Sequence, residues 1–167
     1  MITKSIRLIR TLVSAAVFTV ILSACATTGD APLEALSSAY PDPTLSPAEV
    51  VRIQMEAFQG NDSENQGIRI AFRFASPGNK EATGPLPRFV VLMNQPEYRP
   101  MLNAESLIVG EPTTQGPISR VRVDLLGPEG RPASYYFYLV RHILPGCRGC
   151  WLTQGVEVVP APQDDSV

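Results

Sequence analysis

Apolar residues fall into three regimes along the chain. An apolar-rich run from Leu12 to Leu22 comes first, and residues 26–45, ATTGDAPLEALSSAYPDPTL, follow with little apolar period. From Pro47 onward the pattern becomes regular. Val50, Val51, Met55 and Phe58 recur at the spacing of one helix face. Ser46-Pro47-Ala48-Glu49 marks the start of that helix. Ser46 can accept from the Glu49 backbone while the Glu49 side chain returns a bond, and Pro47 takes the first position, where no donor is missed. Gly60-Asn61 ends it. A second helix is predicted from about Ser63 to Ala75, burying Ile68, Ala71, Phe72 and Ala75, with Ser76-Pro77-Gly78 as its break. The segment GPLPRFVVLMN predicts a third from about Leu86 to Asn94, a strand being the alternative for so short a run.

After Pro100 the period changes to two. Ala104–Glu111, Ile118–Leu126, Ser134–Ile143 and Trp151–Val159 read as four strands. Gly127–Gly130 is the turn between the second and third, and Leu144–Gly149 connects the third and fourth. The expectation is an α+β fold, two or three N-terminal helices packed on a curved four-stranded antiparallel sheet. It forms a single domain over residues 46–160, followed by an acidic, frayed tail over 161–167. On the third strand Tyr136, Tyr138, Val140 and His142 share one face, and Tyr135, Phe137, Leu139, Arg141 and Ile143 the other. On the second, Arg120, Arg122 and Asp124 alternate with Val121, Val123 and Leu125.

The N-terminal run has a different purpose. Lys4, Arg7 and Arg10 precede eleven apolar-rich residues, whereas a helix needs about 20 to span a bilayer core. Residues 1–24 therefore read as a cleaved signal peptide. The stretch Leu22-Ser23-Ala24-Cys25 resembles the lipobox of bacterial lipoproteins. That resemblance implies a diacylglycerol on Cys25 and cleavage before it; the alternative is an ordinary secretory cut near Ala24 with Cys25 unmodified. In similar lipoproteins an aspartate after the cysteine favours the inner membrane, so Ala26 implies the periplasmic face of the outer membrane. Residues 25–45 would then be a lipidated flexible tether with a root-mean-square span of roughly 25 Å. A short helix over Pro32–Ser37 is an option within it.

Charge limits the partners. The formal net charge is −2, and loss of the three signal-peptide cations would take it to −5. Such a body has no footprint for nucleic acid and gains nothing from an anionic membrane surface, so attachment is expected through lipid alone.

The phrases PAEVVRIQMEAF, IRIAFRFASPGNKEATGP, RFVVLM and GCWLTQGVE resemble a bacterial domain-of-unknown-function family, over about Pro47 to Val159. That family implies no particular activity. Helices leading into a curved antiparallel sheet are also similar, by element order alone, to the cone fold of the nuclear transport factor 2 superfamily. Enzymes of that superfamily place acids, histidines or tyrosines inside the cone, which directs attention to Asp124, Tyr136, Tyr138 and His142. A Tyr and Asp pair could polarise a carbonyl. Alternating Arg and Asp, however, usually marks a solvated face, and aromatic strands pack well without any chemistry.

The remaining candidate is His142-Ile-Leu-Pro-Gly-Cys147-Arg-Gly-Cys150-Trp151, which holds the only histidine and the only tryptophan. With Cys25 taken by lipid, Cys147 and Cys150 read as a disulfide staple in an oxidising compartment. Free thiols, or a redox or metal role, are the alternatives. Two thiols and one histidine fall short of the four ligands of a zinc site, and redox pairs favour a helix start rather than a strand. No metal or cofactor is therefore expected. The function expected is that of a membrane-anchored envelope module that binds or assembles without catalysis, its partner a second copy or another envelope protein. A small-ligand carrier or isomerase/dehydratase-class enzyme, and a redox lipoprotein using Cys147 and Cys150, are the alternatives.

Overall fold

The computed structural model describes residues 33–160. The expected signal peptide, the lipidation site at Cys25, the start of the tether and the tail at 161–167 lie outside the described residues. Helix α2, Pro47–Gln59, begins as its sequence dictates. The Glu49 amide donates to Ser46 Oγ at 3.3 Å, and the Ser46 amide donates to Glu49 Oε2 at 2.7 Å. Its expected face of Val50, Val51, Met55 and Phe58 is buried.

Helix α3, Gln66–Arg73, starts later than expected. Asp62 holds the amides of Glu64 and Gln66, and Asn65 adopts a left-handed conformation with φ 59°, so a turn occupies residues 62–65. Ile68, Ala71 and Ala75 are buried as expected. Phe72 is only half-buried and packs on Phe89, with 4.9 Å between ring centroids. Ser76-Pro77 breaks α3 and at once begins another helix, α4, Pro77–Thr83, with Ser76 Oγ accepting from the Asn79 amide at 3.1 Å. Helix α5, Leu86–Met93, follows where a third helix was expected.

The sheet has five strands rather than four: β1 Ser106–Val109, β2 Thr113–Gln115, β3 Ile118–Leu126, β4 Pro132–Leu144 and β5 Cys147–Val159. All ladder pairs are antiparallel, in the order β1-β3-β4-β5, and β2 shares β3 with β1. Strand β2 was not expected because its three residues are all exposed and carry no apolar alternation. It is held by the tight turn at Gly116, where φ is 57°. The curved, open sheet packs its Val121, Val123, Leu125, Tyr135, Phe137 and Leu139 face against the helices.

Two bulges shape β5. The register slips between Tyr138 and Leu139, where Gln154 is the extra residue, and between His142 and Ile143, where it is Gly149. At the first bulge the α3–α4 junction docks onto the free edge of β5: the Thr153 amide donates to Phe74 O at 2.8 Å and the Ser76 amide to Thr153 O at 2.9 Å.

The expected tether differs over its described part. A short helix α1, Leu33–Leu36, and the extended chain to Leu45 lie along the body as a strap. Leu36 is buried, and Leu33, Ala39 and Leu45 pack on the core. Arg73 donates from one nitrogen to Ser37 O at 2.7 Å and Ala39 O at 3.1 Å, and its guanidinium sits 4.5 Å from the Tyr40 ring centre. Burying even one leucine side chain is worth about 1.5–3 kcal/mol, enough with these bonds to hold a short segment in place.

Candidate functional site

The faces of β3 and β4 separate as their alternation predicts. Away from the helices, Tyr138 pairs with Arg120 and Tyr136 with Arg122 across the ladder, and Asp124 pairs with Ser134. The Arg120 guanidinium lies 4.6 Å from the Tyr136 ring centre and that of Arg122 lies 5.7 Å away, so the ring is flanked by two cations. Tyr138 stands 6.5 Å from Tyr136, centre to centre, and donates to Glu157 Oε2 at 2.8 Å.

Asp124 is fully occupied. Arg122 Nε lies 3.0 Å from each of its oxygens, Arg122 Nη2 donates at 2.7 Å, and Ser134 Oγ donates at 2.5 Å. The Arg122 bonds first, and the Ser134 bond second, hold its carboxyl below the usual aspartate range. Glu157 as acceptor, then burial, pushes the Tyr138 phenol above its ordinary value. Each group is thus fixed in its ordinary protonation state at neutral pH, the opposite of what proton transfer asks of an acid or a base.

His142 does not join them. It lies six residues along β4 from Tyr136, about 20 Å in an extended strand, and faces Cys150 across the ladder. Its Nε2 is buried without a partner among the described residues. The sequence-predicted set therefore divides into Asp124, Tyr136 and Tyr138 on the outer face, and His142 at the β4–β5 hairpin end.

Among the described residues the interior shows no cone cavity. Tyr135, Phe137 and Leu139 are essentially inaccessible, and the Tyr135 hydroxyl is consumed by Glu97 O at 2.9 Å. Among the described residues, the interior gap beside Gln54, Asn79 and Thr153 is about 60 Å³, against roughly 300–1,000 Å³ for small-molecule sites. The side chains expected inside a cone, Asp124 and His142, point to the other face because the odd-numbered residues of β3 and β4 fill the core. What does fill the helix–sheet junction is a polar network absent from the sequence reading. Thr153 Oγ1 donates to Gln54 Oε1 at 2.6 Å, Gln54 Nε2 to Ala71 O at 3.0 Å, Asn79 Nδ2 to Thr153 O at 3.0 Å, and Ser76 Oγ to Gln154 Oε1 at 2.7 Å. Its one sequence signal is Gln54, a polar residue three and four positions after Val51 and Val50 on the buried stripe of α2. The network joins α2, α3 and α4 to β5, a structural task.

Cys147 and Cys150 stand at disulfide distance, with 5.7 Å between Cα atoms, inside the usual 4.4–6.8 Å range. They do not flank a long connection: the hairpin turn is Pro145-Gly146 and both cysteines belong to β5. Three extended residues would span about 10 Å. The bulge at Gly149, with φ 91°, draws them together. Cys150 is buried, and Trp151 packs in the core beneath the Arg141 guanidinium, 5.8 Å from its ring. Among the described residues both cysteines lie on β5 rather than at a helix N-terminus, the arrangement that would activate a redox thiol. Among the described residues no group of three His, Cys, Asp or Glu side chains converges to hold a metal, and no helix is long and apolar enough to cross a membrane.

A family described as a domain of unknown function (DUF4864) matches residues 44–166. No curated protein and no solved structure matches the chain.

Proposed function

The chain belongs to the DUF4864 family, and from that premise we propose that it is a lipid-anchored envelope module that binds another protein through the outer face of its sheet and performs no chemistry of its own. The observation that carries this reading is the stack of Arg120, Tyr136 and Arg122, with Tyr138 beside it and exposed Ile118 on the same face. Tyrosine and arginine offer large contact areas and dominate the energetics of protein interfaces. Here their rotamers are already held by cross-strand packing and by Asp124, which lowers the entropy lost on docking. The anchor rests on Leu22-Ser23-Ala24-Cys25 and the basic, apolar segment before it. Ala26 supports the periplasmic face of the outer membrane.

Photocrosslinking from position 136 in native membranes tests the contact. The expected result is a discrete adduct with one envelope protein, lost when Tyr136→Ser and Tyr138→Ser are combined in a chain that still melts at nearly the same temperature. An adduct of twice the chain mass would make the partner a second copy. Uniform labelling of many proteins, or of none, would refute the reading. Cys25→Ser should move the protein out of the membrane fraction and abolish its incorporation of labelled fatty acid.

A further inference from the structure

One motif is not absorbed by the outer-face reading: the β4–β5 hairpin end. Ile143 is 81% exposed there, on strand β4. Its cross-strand partner is Arg148, and Arg141 precedes it by two on the same face, both exposed. The adjacent β2–β3 turn meets this end through the Arg141 amide, which donates to Pro117 O at 2.8 Å, and it presents Ile118 at 55% exposure. Residues 113–120 and 139–153 together hold Arg120, Arg141, Arg148 and His142 and no acid, in a chain of net charge −2. Asp42 on the strap, next to Pro41, whose carbonyl oxygen lies 3.5 Å from Cys147 Sγ, is turned to its own Thr44. The acids of the sheet and its flanking turns are Glu105, Glu111, Asp124, Glu129 and Glu157, none of them within residues 139–153.

We infer that this hairpin end rests on an anionic phospholipid surface, Ile143 entering the headgroup layer while Arg141 and Arg148 contact lipid phosphates. An apolar tip ringed by arginines and set apart from the acidic remainder is complementary to such a surface. The inference rests on the anchored reading, and it revises the expectation that lipid alone makes the attachment: the acidic total conceals a local cationic end.

The native lipoprotein, carrying Ile143→Trp as a reporter at this exposed site, is reconstituted in nanodiscs of phosphatidylcholine alone or with phosphatidylglycerol, the acyl chains brominated. Quenching of the added tryptophan is expected in the anionic discs and much less in the neutral ones. Adding Arg148→Ser should weaken the association about fivefold, whereas Arg148→Lys should restore it. Equal quenching in both discs, or none in either while the chain stays with the discs, overturns the inference. So does a photocrosslink from position 143 to a protein in native membranes. A chain that leaves the discs refutes the anchor instead. The tip is then read from flotation with phosphatidylglycerol vesicles, which must show binding that falls about fivefold with Arg148→Ser.

Discussion

Replacing Thr153 by valine removes one hydroxyl from a site that is 1% exposed, and keeps the shape of the side chain. Its partner Gln54, itself buried, has no freedom to compensate. Its amide nitrogen must donate to Ala71 O, so its oxygen faces Thr153 and would be left unpaired. Stranding a buried acceptor costs about 1–3 kcal/mol. For a domain of this length each kcal/mol moves the melting temperature by about 4 °C, so a fall of roughly 4–12 °C is expected. The urea midpoint should move without a change in slope. The paired variant Gln54→Met with Thr153→Val removes donor and acceptor together. Ala71 O keeps its bond from the Phe74 amide, so the double variant should be distinctly more stable than the sum of the single losses predicts, with a coupling of about 1 kcal/mol or more. Thermal and urea denaturation of the four proteins in one buffer measures this. Additive losses, or a Thr153→Val protein melting within about 2 °C of the parent, would refute the claim that this bond joins α2 to β5.

Gly67→Ala should be among the most damaging small changes, because a methyl there collides with the Ala57 carbonyl where α3 crosses α2; a loss of about 3 kcal/mol or more is expected by urea denaturation. The purified protein should weigh two hydrogens less than its dithiol form, and removing the bridge with Cys147→Ser and Cys150→Ser should cost up to about 2 kcal/mol, the modest figure set by so short a loop. Asp124 has a folded pKa below its unfolded one, so its contribution to stability is present above about pH 4 and fades as pH falls through the lower folded value. The pair is nearly half exposed, and Asp124→Asn should therefore cost less than about 1 kcal/mol at neutral pH and low salt, and still less at high salt.

Legibility followed the range of the interaction. The α2 start was readable because Ser46 and Glu49 satisfy each other within one turn, and β3 because strict alternation specifies both its extent and its faces. Helix α4 was missed although Ser76-Pro77 repeats the signal of Ser46-Pro47; a stop for one helix is also a start for the next. The strap carries Leu33, Leu36, Ala39 and Leu45 without a sustained period, and its clamp is Arg73, more than thirty residues away. Cys147 and Cys150 were visible as a pair, but the turn they belong to was misplaced because a bulge, unlike a ladder, leaves no periodic trace. Tyr136, Tyr138 and Asp124 were rightly placed on one face. That this face is the outer one followed from the heavier apolar side chains opposite, which claim the helices.

The docked strap has a mechanical consequence. Tension applied anywhere upstream of Leu33 reaches residues 33–45 before it reaches α2, and it loads their contacts one after another rather than together. Leu33, Leu36, the two Arg73 bonds and the Pro41 contact at Cys147 would therefore yield in sequence, at low force, releasing up to about 45 Å of chain while the sheet and its helices stay whole. A pulling experiment should register that extension as a separate early step, so that the strap acts as a shock absorber for the body behind it.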